Sequence, residues 1–70
     1  MKNNIKVERA KKNMTQAALA EKVGVTRQTI NAIELGKYNP SVALALKMAY
    51  VFQTSLHEVF ELESSDWETD

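Results

Sequence analysis

Apolar residues recur along most of the chain at the three-and-four spacing of an α-helix. A first helix is predicted over residues 5–12, which are rich in helix formers, and Asn13 can end it in the left-handed conformation. Thr15 can cap a second, whose apolar residues are Ala17, Leu19, Ala20 and Val23. Gly24 follows, where a positive φ is easy, and Thr26 can cap a third helix that faces inward through Ile30 and Ile33, with Val25 ahead of them. Leu35-Gly36 ends it, and "KYNPS" reads as a loop: Pro40 pushes Asn39 out of helical space, and Ser41 can cap what comes next.

Val42 to Phe52 is apolar nearly all round. One stripe is Val42, Ala45, Leu46, Ala49 and Phe52; a second is Leu44, Met48 and Val51. Such a helix is either central to the core or half of an interface. A fifth helix opens on a capping-box pattern, Ser55-x-x-Glu58, and runs through Val59 and Phe60. In "FELESSDWETD", Phe60 and Leu62 alternate with Glu61 and Glu63, the period of a strand. It can pair with the N-terminal "MKNNI" or remain a frayed acidic tail. Trp67 is costly to leave in water and is expected to pack on the body or on a partner.

Composition narrows how such a chain is stabilised. At 70 residues it is one small domain, a size at which a core rarely supplies more than roughly 3–5 kcal/mol. There is no cysteine, so disulfides, thiolate zinc sites and iron–sulfur clusters are excluded. His57, the one histidine, cannot build a metal site alone; no metal and no cofactor are expected. Close helix packing or self-association remains. No signal peptide or bilayer-length apolar run is visible, so a cytoplasmic protein without membrane partners is expected.

The net charge of zero is a partition. Residues 1–50 carry all nine Lys and Arg but only three of the nine acids, leaving +6, and the six other acids give residues 51–70 a charge of −6. The basic part suits a polyanion; the alternative is a solvated surface with a solubilising tail.

The stretch "TQAALAEKVGVTRQTINAIELGK" then makes sense as a unit. Two short helices joined by a three- or four-residue turn with glycine cross at roughly 90–120°. Ala20 is small where the backbones approach, and Leu19, Val23, Val25, Ile30 and Ile33 fill the angle. That crossing leaves the N-terminal end of the third helix free to enter a DNA major groove.

The series "TQ…LA…VGVTRQTI…IE.GKYNPS" resembles the helix-turn-helix of the phage-repressor (Cro/cI-like, XRE) family of transcriptional regulators, and "ALKMAYVFQTSLHEVFE" is similar to that family's fourth and fifth helices. The resemblance covers residues 3–62. It implies an all-α, five-helix lambda-repressor-like domain over residues 1–63, with the helix-turn-helix near 16–35, the recognition helix near 27–35 and a terminal β-ribbon as an option. Residues 64–70 are then an acidic tail. It also implies a homodimer on a near-palindromic double-stranded DNA operator. By the same resemblance Arg27, Gln28 and Asn31 read bases: an arginine fork matches guanine, and glutamine or asparagine matches adenine. Gln16, Thr26, Thr29, Lys37, Tyr38 and Asn39 are phosphate-contact candidates, with Thr26 also a cap. Arg9 and Glu34 match a pair that locks the first helix to the third.

The chain departs from that family at three places: Glu8 replaces a common leucine, Ala18 a common glutamate and Leu35 a common asparagine. The second apolar stripe, with Leu56, Val59, Phe60 and Leu62, points to a dimer interface in the fifth helix and terminal segment. A DNA-binding repressor is the leading reading. An antitoxin-like or adaptor interaction module is the alternative, with an antagonist protein unidentified. An enzyme finds no triad, phosphate loop or paired carboxylates.

Overall fold

The computed structural model describes residues 1–68; the last two residues of the expected acidic tail lie outside the described part. Among these, five helices are joined by short turns: α1 (Ile5–Lys11), α2 (Gln16–Val23), α3 (Arg27–Glu34), α4 (Val42–Phe52) and α5 (Leu56–Val59). Two-residue strands β1 (Lys2–Asn3) and β2 (Phe60–Glu61) pair antiparallel, with Lys2 opposite Glu61 and Asn3 opposite Phe60. The lambda-repressor-like architecture with a terminal ribbon is therefore present.

The turn chemistry follows the sequence closely. Thr15, Thr26 and Ser41 each accept a hydrogen bond from the amide three residues on, satisfying one of the free donors of α2, α3 and α4. Gly24 sits at φ 79°, and nothing lies within 4 Å of a β-carbon built there, so the backbone angle alone demands glycine. The Gly24 and Val25 amides both donate to the Ala20 carbonyl, at 2.9 and 3.0 Å, which turns the chain sharply between α2 and α3. Asn13 ends α1 at φ 52°, and Gln53 ends α4 the same way at φ 55°.

Leu19, Val23, Ile30 and Ile33 meet Ile5, Met48, Phe52 and Val59 in one core. Each side chain fully withdrawn from water there contributes roughly 1.5–3 kcal/mol. The buried face of α4 cuts across the two sequence stripes. Leu44, Ala45, Met48, Ala49 and Phe52 point inward, whereas Val42, Leu46 and Tyr50, one turn apart, point outward. The second stripe is thus mostly core rather than interface, because α2 and α5 pack against α4.

Two further expectations are corrected. Val59 is fully buried and Phe60 nearly so, hence neither is available to a second copy. Their backbone turns from α5 into β2, and both side chains join the core with Ile5, Met48 and Phe52. The Ser55–Glu58 capping box does not form: Ser55 makes no side-chain cap, and α5 lasts only four residues. Glu8, which stands where the resembled family commonly has leucine, is itself buried, and Lys11 Nζ donates to its Oε2 at 2.9 Å.

The described part of the acidic segment folds against the N-terminus. Ser64–Trp67 forms a single 3₁₀ turn in which the Glu63 amide donates to Asp66 Oδ2 at 2.7 Å. The Met1 amine grips both ends of that turn, 3.0 Å from Glu63 Oε1 and 3.2 Å from Asp66 Oδ1. Trp67 nevertheless stands 74% exposed.

This latch titrates at both ends of the pH scale. The amide bond from Glu63, aided by the Met1 amine, holds the Asp66 carboxyl below its ordinary value. Its contribution is complete above that ordinary value and is lost as pH falls through the lowered one. The Glu63 and Asp66 carboxylates raise the Met1 amine, so its contribution is complete below the ordinary α-amino value and lost as pH rises through the raised one. The Glu63 amide resonance should therefore shift in acid below the ordinary aspartate range while core amides stay unmoved; a Glu63 resonance that ignores acid would contradict the latch.

Candidate nucleic-acid interface

The α2–α3 corner gathers most of the expected site residues. Thr26 holds α3 at its start through its bond to the Thr29 amide, 3.2 Å, and the two hydroxyls lie 2.9 Å apart. Both hydroxyls are thus committed to the helix end, and what they leave for an anion is the exposed amino end of α3 itself. Arg27 and Gln28 follow at once, exposed, with the Asn31 side chain exposed one turn on.

Gln16 proves to be more than a phosphate candidate. It is half-buried at the start of α2, and its Nε2 donates to Asn31 Oδ1 at 3.1 Å and to Glu34 Oε1 at 3.3 Å. Its Oε1 accepts from Arg27 Nη1 at 3.4 Å. One amide therefore braces the reading-head candidates Arg27 and Asn31 against the far end of the same helix. Since the Asn31 carbonyl oxygen is engaged by Gln16, a base would meet chiefly its amide nitrogen.

Lys37, Tyr38 and Asn39 are exposed in the loop after α3, on a segment that Gly36 launches at φ 75°. No bond in the described residues ties their side chains to the Gln16–Arg27 group. They form a separate rim of cation, hydroxyl and amide.

The other end of α3 is anchored. Arg9 Nε donates to Glu34 Oε2 at 2.7 Å and Nη2 donates to Oε1 at 3.1 Å, the two-pronged geometry of an arginine–carboxylate pair. The remaining prong, Nη1, donates to the Met14 carbonyl at 2.9 Å. With side chains only 14% and 9% exposed, this pair faces the protein rather than a ligand. The Glu34 carboxylate raises the Arg9 guanidinium further above its already high value, so the charge is permanent.

A residue not legible from the pattern completes the anchor. Asn3 Nδ2 donates to the Ile33 carbonyl at 2.9 Å and the Glu34 carbonyl at 3.5 Å. These carbonyls lie at the end of α3; that of Ile33 also accepts from the Gly36 amide at 3.0 Å. Nothing in "MKNNI" signalled this; it depends on β1 being fixed by its pairing with β2 from the opposite end of the chain.

A family model described as helix-turn-helix matches residues 5–59, most of the chain. The chain belongs to the helix-turn-helix family. Its relatives in that family include an uncharacterized HTH-type transcriptional regulator of Methanocaldococcus jannaschii, 50% identical over 94% of this chain and all of its own. Among solved structures, the helix-turn-helix chain is similar to the N-terminal DNA-binding domain of SinR from Bacillus subtilis, with 35% identity, a TM-score of 0.69, and coverage of 76% of this chain and 78% of that one. It is also similar to the restriction-modification controller protein C.AhdI from Aeromonas hydrophila, at 28% identity and a TM-score of 0.73, over 80% and 85% of the two chains. This is a family of DNA-binding regulators, not of enzymes. Among the described residues no helix is long and apolar enough to cross a membrane.

The anchor can be tested by a double-mutant cycle in urea. Arg9→Leu strands the Glu34 carboxylate and should cost roughly 3 kcal/mol. Adding Glu34→Leu should recover much of that loss. Strictly additive costs would show that the two groups are not coupled.

Proposed function

We propose that this protein is a sequence-specific DNA-binding transcriptional regulator, a repressor, acting as a cytoplasmic homodimer. The observation that carries the reading is the exposed pair Arg27 and Gln28 at the free end of a helix whose other end is anchored. The likeness to a SinR domain described as DNA-binding supports it. So does the excess of cations in residues 1–50.

In this reading α3 enters the major groove by its N-terminal end. Arg27 offers its fork to O6 and N7 of a guanine, and Gln28 offers donor and acceptor to N6 and N7 of an adenine. Asn31 adds a donor deeper along the groove. Gln16 at the start of α2, and Lys37, Tyr38 and Asn39 across the corner, hold the flanking phosphates. Thr26 and Thr29 shape the helix end whose free amides face a phosphate. None of these phosphate contacts reads sequence; they fix the register in which Arg27 and Gln28 do.

Two copies related by a two-fold axis would meet half-sites about 34–36 Å apart, so the operator is near-palindromic. The dimer is held through the C-terminal segment, where Leu56 is half-buried and Leu62 is exposed. Occupying an operator that overlaps a promoter excludes polymerase, which makes repression the direct consequence of binding.

Selection of bound sequences from random duplexes, followed by titration of the winner at two salt concentrations, tests this. Arg27→Ala and Gln28→Ala should each cost about 1–3 kcal/mol and relax preference at one position per half-site, whereas Lys37→Ala should weaken all duplexes alike and lower the salt slope by about 1 per copy. Equal binding to every duplex, or Arg27→Ala without effect on preference, would overturn the reading.

A further inference from the structure

The outward face of α4 is apolar and uncovered. Leu46 is 53% exposed and Tyr50 is 86% exposed on adjacent turns. With Met14 and Val51 they line an open groove of about 1190 Å³ between α4 and the α1–α2 corner. Lys12, Lys22 and Lys47 stand around it. Lys12 donates to the neutral Gln53 Oε1 at 2.9 Å, and none of the three lysines has a carboxylate partner among the described residues. An apolar floor ringed by three uncompensated cations selects an occupant that is apolar in the middle and acidic at its edges.

The same chain presents such an object. The segment from β2 to the 3₁₀ turn exposes Leu62 and Trp67 amid Glu61, Glu63, Asp66 and Glu68. It is already ordered by the Met1 amine and by the Glu63–Asp66 box, so docking it immobilises little further backbone. None of its residues lines the groove of its own chain, which is built by other elements: the α1–α2 corner, α2 and α4.

We infer that the acidic C-terminal segment of one copy docks on the lysine-rimmed α4 groove of a second copy, with Trp67 on the apolar floor. The inference rests on the homodimer reading and names the surface that the C-terminal segment grips. About a two-fold axis the contact occurs twice, each copy giving a tail and a groove, and the assembly closes. Opposite charges meet around a tryptophan, the residue type most often dominant at interface centres. Neither Gln16 nor any residue of α3 lines the groove, so the proposed DNA-reading residues lie outside the docking surface.

Trp67 is the protein's single tryptophan, so its emission reports the contact directly. Emission and acrylamide quenching of the full chain are followed over a dilution series alongside sedimentation. The expected result is blue-shifted, shielded emission in the dimer that reverts on dilution, with self-association weakening as salt rises. Leu46→Asp and Lys47→Glu, both at solvent-facing positions, should preserve the far-ultraviolet circular dichroism. Leu46→Asp should weaken association about tenfold or more, the loss of an anchor contact. A dimer whose Trp67 stays water-exposed and which tolerates Leu46→Asp overturns the docking but keeps the homodimer. A chain that sediments as a monomer throughout the micromolar range removes both. The emission of the unmutated chain decides even where a variant fails to fold.

Discussion

α3 is eight residues long, shorter than a helix needs to persist alone in water, so its position is set by whatever grips it. Three independent grips converge. Ile30 and Ile33 are buried in the core on its inner face. The Thr26 side chain closes its amino end, while Arg9 and Asn3 hold its carboxyl end by a charged pair and by amide bonds to the final carbonyls. The outer side of the first turn is left exposed, and that is where Arg27, steadied by Gln16, and Gln28 stand. In the proposed function, anchoring one end of a short helix and exposing the other gives those two side chains a fixed position from which to read bases.

The ribbon of the two termini has its meaning in the same constraint. Two residues per strand contribute little pairing energy by themselves. What the pairing does is hold Asn3 beneath α3, so that the start and the end of the chain both support the helix in its middle. Gln16 serves the same end from α2. It bridges Arg27, Asn31 and Glu34, so that reading-head candidates and anchor share one amide.

Much of this was legible in the residues. Three N-caps were marked by Thr15, Thr26 and Ser41, and the α2–α3 crossing by Ala20 and Gly24, because these depend on local chemistry that a short window contains. The Arg9–Glu34 pair was legible only through family resemblance, since 25 residues separate its partners. What failed did so for one reason: an apolar residue does not say which neighbour will cover it. Leu44 and Met48, Val59 and Phe60 read as interface and are core, whereas Val42 and Leu46, in the other stripe, face outward beside Tyr50. Asn3 carried no signal because its role exists only once β1 has met β2. Ser55-x-x-Glu58 had the right letters for a cap, but α5 gives way after one turn to the strand that buries Phe60.

The charge partition acquires a structural sense as well. Cations surround both the corner that would meet DNA and the α4 groove, while the acids are gathered on a segment latched by the chain's own amine. The central claim is that α3 meets DNA through its free end because its other end is fixed. Mapping amide chemical-shift changes while a selected duplex is titrated into the labelled protein tests it most directly. The account places the largest changes at Gln16, at residues 26–31 and at Lys37, with Arg9 and Glu34 nearly silent. Changes confined to α4 or the C-terminal segment, with residues 26–31 unmoved, would contradict it.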